Sequence, residues 1–183
     1  ILNDFAPVLE QLGFYWFEEA FGSTDILHMN WYKKLNQALP TVRVSGGERF
    51  LNRFEAQTWL DNDGLDIVQT DCNVTGVTEN WYIAQMTRLR DKTLIPHNWH
   101  GGGTTMANAH LVASMPNREY CELNQTFNPL KDQIFRDPLI VKNGKMVLSG
   151  KPGFGVELID DIEKKFPFVE GSYLKPNPYF ERA

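Results

Sequence analysis

The sequence predicts an α/β fold on a parallel sheet, and two observations predict it. Short apolar runs alternate with longer stretches of helical periodicity along most of the chain. A chemically useful polar residue also stands at the C-terminal end of each candidate strand, once per strand–helix unit.

The chain opens on "ILNDFAPVLEQLG", which reads as the end of a helix, with Gly13 just past it, where a left-handed backbone is favoured. "FYWFE" (Phe14–Glu18) is the first strand, and Asp25–Ala38 the next helix, stopped by Pro40. Thr41–Ser45 and Leu65–Thr70 are strands, with a helix over Phe50–Leu60 between them. Val77–Arg90 is a helix whose expected apolar face carries Val77, Trp81 and Ala84. Thr93–Pro96 is a fourth strand. A helix over Thr105–Ser114 comes after the glycines at 101–103 and ends before Pro116, and Tyr120–Leu123 is a fifth strand. Beyond residue 130 the pattern changes. "PLIVKNGKMVLS" is a hairpin signal with Asn143-Gly144 at the turn, and "GKPGFGVELIDDIEKKF" a glycine-marked turn with a short acidic helix. "KPGFG" lacks the Gly-Lys-Ser/Thr ending of a phosphate loop and reads as a turn. Residues 1–130 are therefore expected to form part of a barrel, and 131–183 a hairpin and tail.

Composition narrows the function classes. The 183 residues are 42% hydrophobic and 13% aromatic, a globular composition with a sizeable core. A net charge of −5 and a pI near 5.4 offer no basic stripe, so a nucleic-acid partner is excluded. No apolar stretch is long enough to cross a membrane. Cys72 and Cys121 are too few and too far apart for a zinc ribbon or a disulfide framework. They fit a reducing compartment, and the expected location is cytoplasmic.

The polar residues at the strand ends are Glu18 and Glu19, Glu48, Asp71, His97 and Glu122. The steps from Glu18 through Glu48, Asp71 and His97 to Glu122 are 30, 23, 26 and 25 residues. A strand–helix unit takes roughly 25–30 residues, so these side chains recur in phase with the fold. In a parallel (β/α)8 barrel of the TIM type all such strand ends open on one rim, where the active sites of these barrels lie. Carboxylates gathered there repel one another unless a cation neutralises them. A hard divalent ion with oxygen ligands, Mg2+, is the expected cofactor. His97 and His100, three apart in "IPHNWHGGG", read as a metal pair, a base with a bystander, or loop residues. A zinc pair lacks a Cys or a third His at a convincing distance. His110 falls within a helix and His28 reads as structural or exposed.

"YWFEEA", "VSGGE", "LDIVQTDCNVTGVT" and "IPHNWHGGG", in this order, resemble the enolase superfamily and its mandelate racemase-like branch. The likeness runs from about Gly13 to Gly155. It implies the C-terminal portion, about strands four to eight, of the family's barrel. The substrate-capping domain, a base on strand two and a metal-ligating Asp on strand three would precede Ile1, supplied by the same protein or by another chain. The hairpin and tail would then pack on that capping domain. The resemblance further implies Glu18 and Glu48 as Mg2+ ligands with Glu19 behind them. It makes Asp71 and His97 a dyad in which the aspartate orients the base, and places Glu122 near the substrate's carboxylate or its developing enolate. Trp99 and His100 would line the substrate pocket together with Glu19. The family's usual Pro after the paired glutamates is Ala20 here, and no Lys replaces Asp71 or His97, so the lysine-based branches fit less well.

The implied activity is Mg2+-dependent removal of a proton α to a carboxylate, with an enediolate intermediate. Dehydration of a small sugar acid by a lyase is the leading expectation, inactive without the N-terminal part and assembled as a homo-oligomer. The alternatives are a racemase or epimerase of a 2-hydroxy acid and a non-catalytic half-barrel.

Overall fold

The computed structural model describes residues 1–22, 25–137 and 139–171. The end of the expected tail, 172–183, lies outside them. Helix α1 (Phe5–Leu12) leads into strand β1 (Trp16–Glu18), and Gly13 between them has φ +66, the left-handed C-cap its position predicts. A 3-10 turn (Ile26–His28) and α2 (Met29–Ala38) come next. Strand β2 (Arg43–Gly46), α3 (Arg53–Asn62), β3 (Ile67–Val68), α4 (Cys72–Arg88), β4 (Thr93–Leu94) and α5 (Gly102–Ser114) complete four consecutive βα units. The sheet is parallel throughout, in the order β1-β2-β3-β4, with Trp16 opposite Arg43, Ser45 opposite Ile67 and Ile67 opposite Thr93.

The main-chain ladder runs further than the strands. Gln69 N donates to Gly46 O, Ile95 N to Val68 O and His97 N to Gln69 O. The backbone carrying Asp71 and His97 is therefore held by the sheet almost up to those residues.

The core lies between the sheet and its helices. Trp59 of α3 meets Tyr32 of α2 edge to face at 5.2 Å and leans on Phe50 at 5.7 Å, over Val42, Val44 and Leu65. Gly47, at φ +105, makes this packing possible, because a Cβ there would sit 2.7 Å from the Phe50 ring. Helix α4 departs from expectation. Its buried face carries Asn80, Ile83, Ala84 and Thr87, while Val77 and Trp81 are exposed. Ala84 is buried as expected, and Gly76, whose φ of 78 and ψ of 161 interrupt the helix, lies just ahead of the expected stretch.

Tyr120–Leu123 is not a strand. Asn98 N donates to Glu122 Oε2 at 2.8 Å and Asn98 Nδ2 to Glu122 O at 2.7 Å. Side chains thus satisfy the main-chain groups that pairing with β4 would use. Beyond it, α6 (Pro129–Asp132) precedes the hairpin, where β5 (Ile140–Lys142) pairs antiparallel with β6 (Lys145–Val147). Asn143 and Gly144 both take positive φ at its turn. Lys151–Gly155 forms a turn, and Phe154 O accepts from His110 Nε2 on α5. The last helix, α7, spans Ile162–Lys165. No helix among the described residues is long and apolar enough to cross a membrane.

At the N-terminal ends of the strands the carboxylates are compensated. Glu119 accepts from Arg43 Nη1 and Nη2 (2.8 and 2.7 Å), the Tyr15 hydroxyl and the Thr93 hydroxyl. Asp66 meets Lys92 at 3.2 Å and accepts from Val44 N. The Arg43 guanidinium and its neighbours hold the Glu119 carboxyl down at about 2. A group depressed on folding stabilises the fold above its unfolded value and loses that contribution as pH falls towards its folded one. Part of the acid lability of the fold is therefore expected between about pH 4.5 and 2. In urea titrations across that window, Glu119→Gln should flatten the dependence of the midpoint on pH. An unchanged slope would remove Glu119 as its source.

Candidate active site

The opposite rim is built differently. Asp71 comes directly after β3 and its ladder, is fully buried, and caps α4 by accepting from Asn73 N at 2.8 Å. The same oxygen, Oδ1, takes Asn108 Nδ2 at 3.3 Å. Its other oxygen, Oδ2, is met by His97 Nδ1 at 2.9 Å and His100 Nε2 at 3.2 Å. A carboxylate can only accept, so His97 carries its proton on Nδ1 and its neutral form keeps the Nε2 lone pair outward. Nε2 lies 3.5 Å from Glu48 Oε2. The bond to Asp71 raises the His97 pKa above its usual value against the effect of burial, and the charges of Glu122, Glu48 and Asp71 push the same way.

The carboxylates around this imidazole have little to balance them. Glu18, at the end of β1, accepts from Gln69 Nε2 at 2.9 Å and Trp16 Nε1 at 3.2 Å. Glu19 adopts φ +45, uncommon for a non-glycine residue, and its Oε1 accepts from Gly47 N at 2.9 Å. Its Oε2 is buried without a hydrogen-bond partner. Burial pushes the Glu19 carboxyl up to about 7, and the neighbouring charges of Glu48 and Glu18 add to the rise. Burial also raises Glu122, with Glu18 and Asp71 contributing against the Asn98 amide and His97. The compensation in reach is Arg49, exposed and 3.6 Å from Glu48 Oε1, together with the imidazoles.

All six rim residues expected from the spacing are thus brought to one end of the sheet. Among the described residues, the one set of three ligand atoms lying within 4.8 Å of one another is Asp71, His97 and His100. Glu18 and Glu48 are coupled through Glu19 rather than drawn into such a set. Glu18, Glu19 and Glu48 nonetheless offer hard oxygen donors short of positive charge, the type of ligand that suits Mg2+. Trp99 is exposed and makes no ring contact or hydrogen bond among the described residues. His100, read as pocket lining, is bonded to Asp71 through Nε2 with its side chain partly exposed.

Sequence reasoning missed three supports. Asn108 is fully buried on α5 and ties Asp71 Oδ1 to His97 O, while Asn98 fastens Glu122 and Gln69 fastens Glu18. The signal for Asn108 was available, since one amide amid "MANAHLVA" is a buried polar group that needs partners. Gly102 is required here too. A Cβ on it would fall 2.6 Å from the Phe135 ring, so the first turn of α5 can lie against the segment after α6.

The model of the enolase C-terminal domain-like family matches residues 3–162. The chain belongs to the enolase superfamily. Its structural neighbours place it in the mandelate racemase-like branch, and its fold is the C-terminal portion of that family's barrel. It is 32% identical to the arabinonate dehydratase of Saccharolobus solfataricus, over 86% of this chain and 41% of the relative. The D-galactarolactone cycloisomerase of Agrobacterium fabrum is 28% identical, over 84% and 42%. The crystal structure of the 3,6-anhydro-D-galactonate cycloisomerase from Zobellia galactanivorans superposes with a TM-score of 0.80 at 30% identity, covering 90% of this chain and 46% of that one. The chain spans about two fifths of the length of the curated relatives it matches.

Proposed function

We propose that this chain supplies the base side, and two of the metal-holding carboxylates, of a Mg2+-dependent acid-sugar dehydratase. The observation that carries the reading is the His97 imidazole. Its Nδ1 is fixed on a buried aspartate, its Nε2 is turned to the rim, and carboxylates surround it. His97 Nε2 takes the proton from the carbon next to the substrate's carboxylate. Asp71 stabilises the imidazolium that forms, and the imidazolium then gives its proton to the departing β-hydroxyl, which leaves as water. Glu122, whose Oε2 accepts from Asn98 N and whose charge reaches His97, would lie near the substrate's carboxylate or its developing enolate. Glu18 and Glu48 would hold Mg2+, with Glu19 behind them, and the bound ion supplies charge compensation to the carboxylate end of the substrate.

The arabinonate dehydratase among the relatives supports elimination. The two cycloisomerases support a second reading, isomerisation begun by the same proton transfer. A panel of sugar acids incubated with Mg2+ and the whole polypeptide, N-terminal part included, separates them by product mass. Dehydration gives a 2-keto-3-deoxy acid lighter by one water, isomerisation a product of unchanged formula. Neither turnover nor α-proton exchange with any acid would leave the non-catalytic half-barrel. Glu48→Gln is expected to weaken Mg2+ binding at least about tenfold by calorimetry, through loss of one anionic ligand. An unchanged titration would take Glu48 out of the metal site.

A further inference from the structure

We propose that Asp71, His97 and His100 form a second, chemically distinct cation site, selective for a borderline transition-metal ion such as Zn2+, whose occupation disables His97. The donor set is one carboxylate oxygen and two imidazole nitrogens converging on each other within 4.8 Å. His97 Nδ1 and His100 Nε2 approach the same oxygen, Asp71 Oδ2, at 2.9 and 3.2 Å. A tetrahedral ion with bonds near 2.0–2.1 Å spaces its ligands by roughly 3.3 Å, so little rearrangement is needed. Imidazole nitrogen suits Zn2+, Co2+, Ni2+ and Cu2+, whereas Mg2+ prefers the oxygens of Glu18 and Glu48. One mouth therefore holds two neighbouring donor sets of different hardness. Access is from the side of His100, whose side chain is 37% exposed against 0% for Asp71. That side leaves room for water as a fourth ligand.

The groups that would steady the ligands are already in place. Asn73 N and Asn108 Nδ2 hold Asp71 Oδ1, so the aspartate keeps its orientation when Oδ2 turns from acceptor to ligand. The protons balance. A neutral His97 moves its proton from Nδ1 to Nε2 and a neutral His100 moves its own from Nε2 to Nδ1, with none released. His97 charged beforehand releases one to solvent. In either case Nε2 ends as N–H facing Glu48 Oε2, and the lone pair that would take the substrate's proton is gone. Ion binding at this triad stands on geometry alone, whereas its inhibitory consequence rests on His97 being the base.

Co2+ is the probe. With Mg2+ in excess, titration of the full chain should develop the visible absorption of a tetrahedral Co2+ ion at one equivalent, and Zn2+ should displace it. His100→Ala should weaken binding about 100-fold. His100→Cys should restore it with a thiolate-to-cobalt charge-transfer band. Glu48→Gln should leave Co2+ binding near the parent value while Mg2+ binding falls. Equal Co2+ affinity in His100→Ala and the parent overturns the proposal. So does loss of Co2+ binding in Glu48→Gln, which would place the ion among the carboxylates. Co2+ binding that behaves as expected, in a protein that catalyses no α-proton exchange, would keep the site and overturn the base assignment.

Discussion

His97→Asn is expected to abolish exchange of the substrate's α-proton with solvent deuterium, with turnover falling by roughly 10^3–10^4-fold. The substitution is chosen for what it keeps. An asparagine amide can still donate toward Asp71 Oδ2, so the buried carboxylate is not left facing an apolar side chain. It supplies no group that titrates near neutrality. Mg2+ binding should change little, because no role in the hard donor set falls to His97. Two readouts thus separate base from scaffold: exchange followed by NMR in deuterated buffer, and Mg2+ affinity by calorimetry. Exchange at the parent rate would remove His97 from the mechanism. Loss of both together would mean that the substitution had disturbed the rim as a whole.

The rim was legible in the sequence because barrel architecture turns spacing into position. Glu18, Glu48, Asp71, His97 and Glu122 recur at the length of one βα unit, and any parallel sheet places such residues on one edge. Gly13 and Asn143-Gly144 were legible for a local reason, since each needs a backbone that few residues adopt. What escaped depended on side chains meeting across the fold. The buried face of α4 was only partly placed: Ala84 is buried as expected, but Asn80, Ile83 and Thr87 complete that face in place of Val77 and Trp81, and Asn80 is held there by a partner across the fold, Thr70. The segment at 120–123 looked like a strand by composition, yet the Asn98 amide satisfies its main chain. The place of His100 could not be read from its spacing to His97. Its partner is Asp71, twenty-nine positions earlier, and only the crossover through α4 brings the two together.

Asp71→Asn should cost turnover nearly as much as loss of the base, while the fold survives. Asparagine is as good a helix cap as aspartate, so its Oδ1 can still accept from Asn73 N and Asn108 Nδ2. The group then presented to His97 is an amide N–H. His97 Nδ1 must turn from donor to acceptor, which moves the imidazole proton to Nε2 and leaves no lone pair toward the substrate. The same exchange of aspartate for asparagine behind the histidine of a serine-protease triad costs about 10^4-fold, for this tautomeric reason. Here the imidazolium would lose its counter-charge as well, so any residual activity should show its acid limb moved to lower pH. Thermal unfolding separates this from simple damage. Asp71→Asn should melt near the parent, whereas Asp71→Ala, which loses the cap and takes one acceptor from the Asn108 amide, should melt several degrees lower. Parent-like turnover in a folded Asp71→Asn protein would mean that the aspartate orients nothing that matters to the chemistry.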